Sequence, residues 1–214
     1  METSKNSTYS SLFQWLGLIE DYDQPSDSTL PRVITLLASV LGKMIQKNEK
    51  PFHTRHSKEG EITMFHGSRA PSMTIHRYTE RVYRYAHCSP ACFVAAFAYI
   101  LRYLEIPSMS RRLTSLNVHR LLITSLLVAA KFLERKCHNN AYYAKIGGVS
   151  TEEMNRLERT FLFDLDFRVN ITTEVFEKHC LMLQGETVPC HSRKLRTVVG
   201  EKQINGKETN KKWI

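Results

Sequence analysis

Apolar residues return every three or four positions along most of the chain and nowhere alternate in the manner of a half-buried strand. The pattern predicts an all-α fold. The first periodic run follows Pro31, whose missing N–H costs nothing in a first helical turn. Val33, Leu36, Leu37, Val40, Leu41 and Met44 share one face of this helix, placed over residues 30–50. A second helix is expected from about Met73 to Ala86, with Ile75, Tyr78, Val82 and Tyr85 on one face. Ser89 and Pro90 read as N-cap and first-turn proline of a third helix, CFVAAFAYILRYLE, stopped by Pro107. Its alanines at 91, 95, 96 and 98 let neighbours approach closely.

Asn117 reads as the cap of a helix over 118–134 that is apolar on almost every side, so other helices must surround it. Asn139 and Asn140 open a short helix ended by Gly147 and Gly148. Ser150 and Glu153 have the spacing of a capping box, ahead of a helix whose buried stripe is Met154, Leu157, Phe161, Leu162 and Leu165. Thr172 begins the last helix. Five helices thus fall between Met73 and Phe167, with one before and one after.

The segments around them lack this periodicity. Residues 1–29, rich in Ser, Thr, Asp and Asn around the apolar island LFQWLGLI, are expected to be a flexible N-terminal arm, with the island either disordered or docking lightly. Residues 51–72, with Pro51, Gly60, Gly67 and Pro71, are expected to be a linker. The compact unit and the helix after it are assigned to 73–183, and 184–214 to a disordered basic tail.

Composition narrows the function more than the fold. With 42% hydrophobic and 24% charged residues in 214, the chain has the make-up of one soluble domain with flanking segments. Its net charge is +9, but residues 190–214 hold seven Lys or Arg against Glu201 and Glu208. The excess is concentrated in the tail rather than on one folded face, so direct nucleic-acid binding is not expected. Five cysteines (Cys88, Cys92, Cys137, Cys180, Cys190) show no paired spacing of a zinc module or disulfide framework. The start lacks a basic leader with an apolar run, and the longest apolar runs are about ten residues where a membrane span needs roughly 20. An intracellular protein without a membrane partner is expected.

Signatures of a reactive centre are missing: there is no phosphate loop, no dinucleotide fingerprint, no H-E-x-x-H and no G-x-S-x-G. His76, His87, Cys88 and Cys92 contain zinc-type ligands, but Pro90 marks a loop-to-helix junction between the cysteines and no matching pair follows. Core packing is the preferred reading there. Lys131 and Glu158 stand apart, since one leaves an apolar helix and the other borders the buried stripe of another. They are either two solvated charges at helix ends or a rigid pair of opposite signs suited to docking a partner.

The runs FHGSRAPSMTIHRYTERVYRYAHCSPACFVAAFAYILRYLE, SLNVHRLLITSLLVAAKFLE, NNAYYAKIGGVSTEEMNRLE and FLFDLDFRVNITTEVFEKHC resemble the plant cyclins of the P or U type, relatives of the fungal phosphate-responsive cyclins. The resemblance covers about 65 to 183. It implies a single five-helix cyclin box that binds the small lobe of a cyclin-dependent kinase and holds its C helix. It also implies that Lys131, in the A-K-F run, and Glu158, in the L-E pair, make the central polar contacts, with Phe132 and Leu133 adding buried area. The implied role is a non-catalytic regulatory subunit in the nucleus or cytoplasm, with an A-type-like kinase as partner and no cofactor, metal or small-molecule substrate. The setting implied is cell division or phosphate signalling.

Three departures from the family pattern bear on that role. Leu101-Arg102 stands where an Asp-Arg pair is usual, Glu134-Arg135 replaces an acidic pair beside the proposed interface, and His138 replaces an aromatic before Asn139. The alternatives are a box-fold transcription or nucleic-acid adaptor, against which the absence of a second box and a zinc ribbon counts, and a degenerate cyclin that scaffolds without activating.

Overall fold

The computed structural model describes residues 2–19, 30–49, 62–106 and 111–185, with the side chains of residues 2–8 excepted. Among the described residues every regular element is a helix: α1 (Glu2–Leu16), α2 (Arg32–Glu49), α3 (Ile75–Ala86), α4 (Pro90–Leu104), α5 (Val118–Leu133), α6 (Asn140–Gly147), α7 (Thr151–Asp164) and α8 (Thr173–Gln184). Helices α3 to α7 are the five between Met73 and Phe167, with α2 before them and α8 after. No described helix is long and apolar enough to cross a membrane.

α4 and α5 lie against each other at the centre. Phe93, Val94, Ala95, Ala96 and Phe97 on α4 and Leu121, Leu122, Ile123, Leu126 and Leu127 on α5 are sealed from solvent, as sequences apolar on all sides require. Packed on this pair are α2 and α8 against α4, and α3, α6 and α7 against α5.

Local chemistry sets the ends of the elements, in places differently from the expectation. Asn139, Ser150 and Thr172 cap α6, α7 and α8 by accepting from Tyr142, Glu153 and Val175 backbone N–H groups. Asn117 occupies its cap position without capping. Its Oδ1 instead accepts from Thr114 N at 2.9 Å and its Nδ2 donates to Arg112 O at 2.8 Å, fastening the preceding loop. The Ser89 side chain makes no cap bond. Only half of the expected capping box forms, because Glu153 turns its carboxylate to Arg120 Nε at 2.7 Å. On α3 the buried face includes Thr79, whose hydroxyl donates to Ile75 O at 2.8 Å, while Tyr85 is turned out to solvent.

Two segments expected to lie outside the packed unit join it. The expected arm is a helix over Glu2–Leu16, whose Leu12 and Leu16 are buried and whose Phe13 ring meets Phe176 of α8 edge-on at 5.9 Å. Gly17, at φ 73, ends it with the Leu18 N–H reaching back to Phe13 O at 2.9 Å, a left-handed turn that glycine makes without steric cost. In the expected linker, Phe65 is fully buried against Tyr103 and Phe161 at 5.1 and 5.8 Å. The remainder of these assignments, residues 20–29 and 51–61, and the tail over 186–214 lie outside the described residues.

Candidate functional site

The buried run of α5 ends at Ala130, and Lys131, Phe132 and Leu133 emerge at its last turn. Glu134 then leaves the helix in extended conformation. Its carboxylate accepts from Ser89 N at 2.8 Å and Cys92 Sγ at 3.2 Å, so the exit of α5 is tied to the start of α4. The Ser89 N–H holds the Glu134 carboxyl below the usual carboxylate range, because that hydrogen bond favours the charged form. The loop beyond is fixed by His138 stacked on Tyr142 at 3.9 Å and by the Asn139 cap. Arg135 is exposed on it.

α7 supplies the opposite wall. Met154, Leu157 and Phe161 are buried, which leaves Glu158 at the edge of the packed stripe. Lys131 Nζ donates to Glu158 Oε1 at 2.6 Å, and Asn140 Nδ2, from the first turn of α6, donates to Glu158 Oε2 at 2.7 Å. The same amide donates to Asn155 Oδ1 at 2.8 Å. Both oxygens of Glu158 are therefore occupied by groups from two other helices.

Beside this network lies an open groove of about 390 Å³ lined by Asn155, Glu158, Arg159, Leu162 and Phe167. Phe167 reaches it because Asp166 and Phe167 both take φ 52, a conformation that bulky residues avoid and that costs about 1–3 kcal/mol per residue. The turn is held by the Phe167 N–H donating to Leu162 O at 2.9 Å. Phe163 and Phe167 meet edge-on at 5.3 Å, and together with Phe132 and Leu133 they remain substantially exposed.

The structure thus brings Lys131 and Glu158 into direct contact, with Phe132 and Leu133 beside Lys131 and Arg135 on the loop that follows. It adds Asn140 and Phe167, which the sequence reading passed over. Asn140 could have been suspected as a second amide behind a cap, whereas nothing in the sequence announces the backbone turn at Phe167. Chemically the set offers a cation, an acid, amides and aromatic edges, which suits recognition of a polar helix end and an apolar side chain together. Among the described residues no three His, Cys, Asp or Glu side chains gather as a metal ion would need.

The departure at Leu101-Arg102 is absorbed locally. Leu101 is buried, and Arg102 Nη1 donates to Arg168 O at 2.8 Å, so a carbonyl in the segment after α7 serves the arginine.

A family model described as Cyclin matches residues 31–169. The chain is 45% identical over 186 residues to Cyclin-P3-1 of Oryza sativa subsp. japonica, covering 87% of this chain and 78% of that protein. It is 42% identical over 164 residues to Cyclin-U1-1 of Arabidopsis thaliana, covering 77% and 78%. To Cyclin-U4-1 of the same plant it is 44% identical over 160 residues, covering 74% and 78%.

Proposed function

The chain belongs to the cyclin family, and on that premise we propose that it binds a cyclin-dependent protein kinase through the Lys131–Glu158 face and stabilises the kinase's active conformation. Family membership supports a regulatory role. In this reading, α3 to α7 are the cyclin box, and the chemistry of phosphoryl transfer stays with the partner.

The observation that carries the reading is the Lys131–Glu158 contact at 2.6 Å, beside a groove that Glu158 lines together with the exposed Phe167. The pair is only partly covered, with the Lys131 side chain 40% exposed and that of Glu158 15%, and folding alone gives little reason to leave its lysine end open. Docking does, because a fixed pair of opposite charges orients a partner. A kinase helix seated there would bring its own polar groups to Lys131 and Glu158 and place an apolar residue against Phe132, Leu133 and Phe167. Preference for the kinase with its C helix swung in then shifts the kinase population toward the form that can pair its catalytic lysine and glutamate. An A-type-like kinase, acting in the nucleus or cytoplasm in cell division or phosphate signalling, is the partner this reading favours.

Lys131→Glu and Glu158→Ala test it by co-purification of kinase activity from plant extract, with circular dichroism as the control for folding. Each is expected to abolish co-purification at unchanged helical content. The swap Lys131→Glu with Glu158→Lys keeps an internal ion pair but reverses what a partner meets, and is expected to remain inactive. An active kinase recovered with the swapped protein would sink the assignment.

A further inference from the structure

The end of α7 is built differently from the ends of α1 and α6. Those two give the left-handed position after the helix to Gly17 at φ 73 and Gly148 at φ 71, as the lack of a Cβ favours. After α7 the left-handed positions fall to Asp166 and Phe167, both at φ 52. Aspartate tolerates that region, whereas a bulky side chain is strained in it.

The conformation is fixed from several directions. The N–H groups of Asp166 and Phe167 return to Phe163 O and Leu162 O, each at 2.9 Å. From α4 the Tyr99 hydroxyl donates to Val169 O at 2.6 Å, and Arg102 Nη1 donates to Arg168 O at 2.8 Å. Surroundings that over-determine a backbone in this way can hold a residue against its own preference. A residue just past a helix end commonly packs on the last turn, yet the fold gains little here. Phe167 stays 57% exposed, and Phe163, its edge-on neighbour at 5.3 Å, is 65% exposed.

We infer that the fold gives up stability at Asp166 and Phe167 for recognition: α4, through Tyr99 and Arg102, holds Phe167 in a strained conformation that keeps its ring on the groove beside Glu158. The inference rests on the kinase reading above and takes the kinase helix as the occupant, because Glu158, the acid held by Lys131 and Asn140, lines the same groove as Phe167. Arg102 is then a positioning residue, acting on the partner only through Phe167.

Phe167→Gly and Phe167→Ala remove the same ring, but only glycine also removes the strain. With no kinase present, Phe167→Gly is expected to melt at or above the wild type and a few degrees above Phe167→Ala. Affinity for a recombinant A-type-like cyclin-dependent kinase, measured by titration calorimetry, is expected to fall about tenfold in both. Arg102→Ala is expected to lower affinity in the wild-type background and to add no further loss in the Phe167→Gly background. Arg102→Lys, which can still donate to Arg168 O, is expected to restore most of it. Equal losses from Arg102→Ala in the two backgrounds overturn the assignment. So does Phe167→Gly melting below the wild type, since the ring would then serve the fold, and so does full affinity in that variant. Lys131→Glu assayed alongside keeps the two readings apart. A wild-type chain without affinity, or full affinity in Lys131→Glu, defeats the kinase reading and this inference with it. Loss in Lys131→Glu beside full affinity in Phe167→Gly defeats this inference alone. If Arg102→Ala fails to fold, the glycine and alanine variants still decide.

Discussion

Lys131 and Glu158 are unequal partners. The Lys131 side chain is 40% exposed and that of Glu158 only 15%, so the acid is the fixed member and the lysine the mobile one. What fixes the acid is Asn140, whose amide holds Glu158 Oε2 and Asn155 Oδ1 together. Asn140→Ala therefore frees one oxygen of Glu158 and lets the carboxylate swing toward solvent. A hydrogen bond to a charged group is worth about 1.5–3 kcal/mol; at this partly open position the lower end applies. The loss falls on the fold itself, so the melting temperature is expected to drop by a few degrees, and kinase affinity measured by titration calorimetry is expected to fall as the carboxylate loses its orientation; unchanged affinity would remove Asn140 from the site. Arg135 acts differently, because it is exposed and beyond the anchored Glu134. Rim charges act mainly on association rate and its salt dependence. Arg135→Glu is expected to change the association rate with a kinase several-fold at low salt, to lose that effect at high salt, and to leave the dissociation rate nearly unaltered. Stopped-flow association at two ionic strengths separates these outcomes.

At the scale of elements, α1 marks where sequence patterning falls short. Helices α2 to α5 and α7 carry an apolar face at helical spacing, and α6 and α8 are marked by the side-chain caps Asn139 and Thr172, so their existence could be read locally. The island around Leu12 and Leu16 is too short to show a period, and its helix makes sense only once α2 and α8 are in place to receive it. Phe65 is the same case, a single ring whose pocket is built by Tyr103 and Phe161 from distant helices. The Lys131–Glu158 contact was half legible: periodicity placed each at the edge of a buried face, but residues 27 apart in sequence become neighbours only through the packing of α5 on α7. If α1 is an integral helix, Leu16, fully buried, contributes as a core leucine does. Leu16→Ala is expected to cost about 2–5 kcal/mol in denaturant unfolding. A loose arm would give no measurable loss, so the experiment distinguishes the docked helix from the arm that composition suggested.

For the molecule as a whole, three histidines, His179 buried and His66 and His119 partly so, set a limit on the acid side. His66, His119 and His179 all have pKa values lowered by burial, and His179 also meets the Phe97 ring of α4 edge-on at 5.9 Å. His66 Nδ1 accepts from Thr63 N at 2.9 Å in the segment that carries Phe65. His119, at the start of α5, contacts Met73 O at 2.9 Å through Nε2, and His179 of α8 contacts Val175 O at 2.6 Å through Nδ1. Carbonyl oxygens only accept, so the ring nitrogen donates in the last two. Above the ordinary value of 6.5 the folded and unfolded chains are both neutral at these positions, and their titration adds no pH dependence. Below it the unfolded chain binds protons that the folded one resists, and stability falls with pH until the lowered folded values are passed. The melting temperature is therefore expected to be nearly level from pH 8 to 7 and to drop progressively from pH 6.5 to 5, before most carboxylates titrate. A melting temperature that holds or rises across that lower window would mean these rings are not kept neutral by the fold. Because the three rings brace the α8 side, the segment bearing Phe65 and the α3–α5 contact, the loss is expected as one cooperative transition rather than as the release of a single helix.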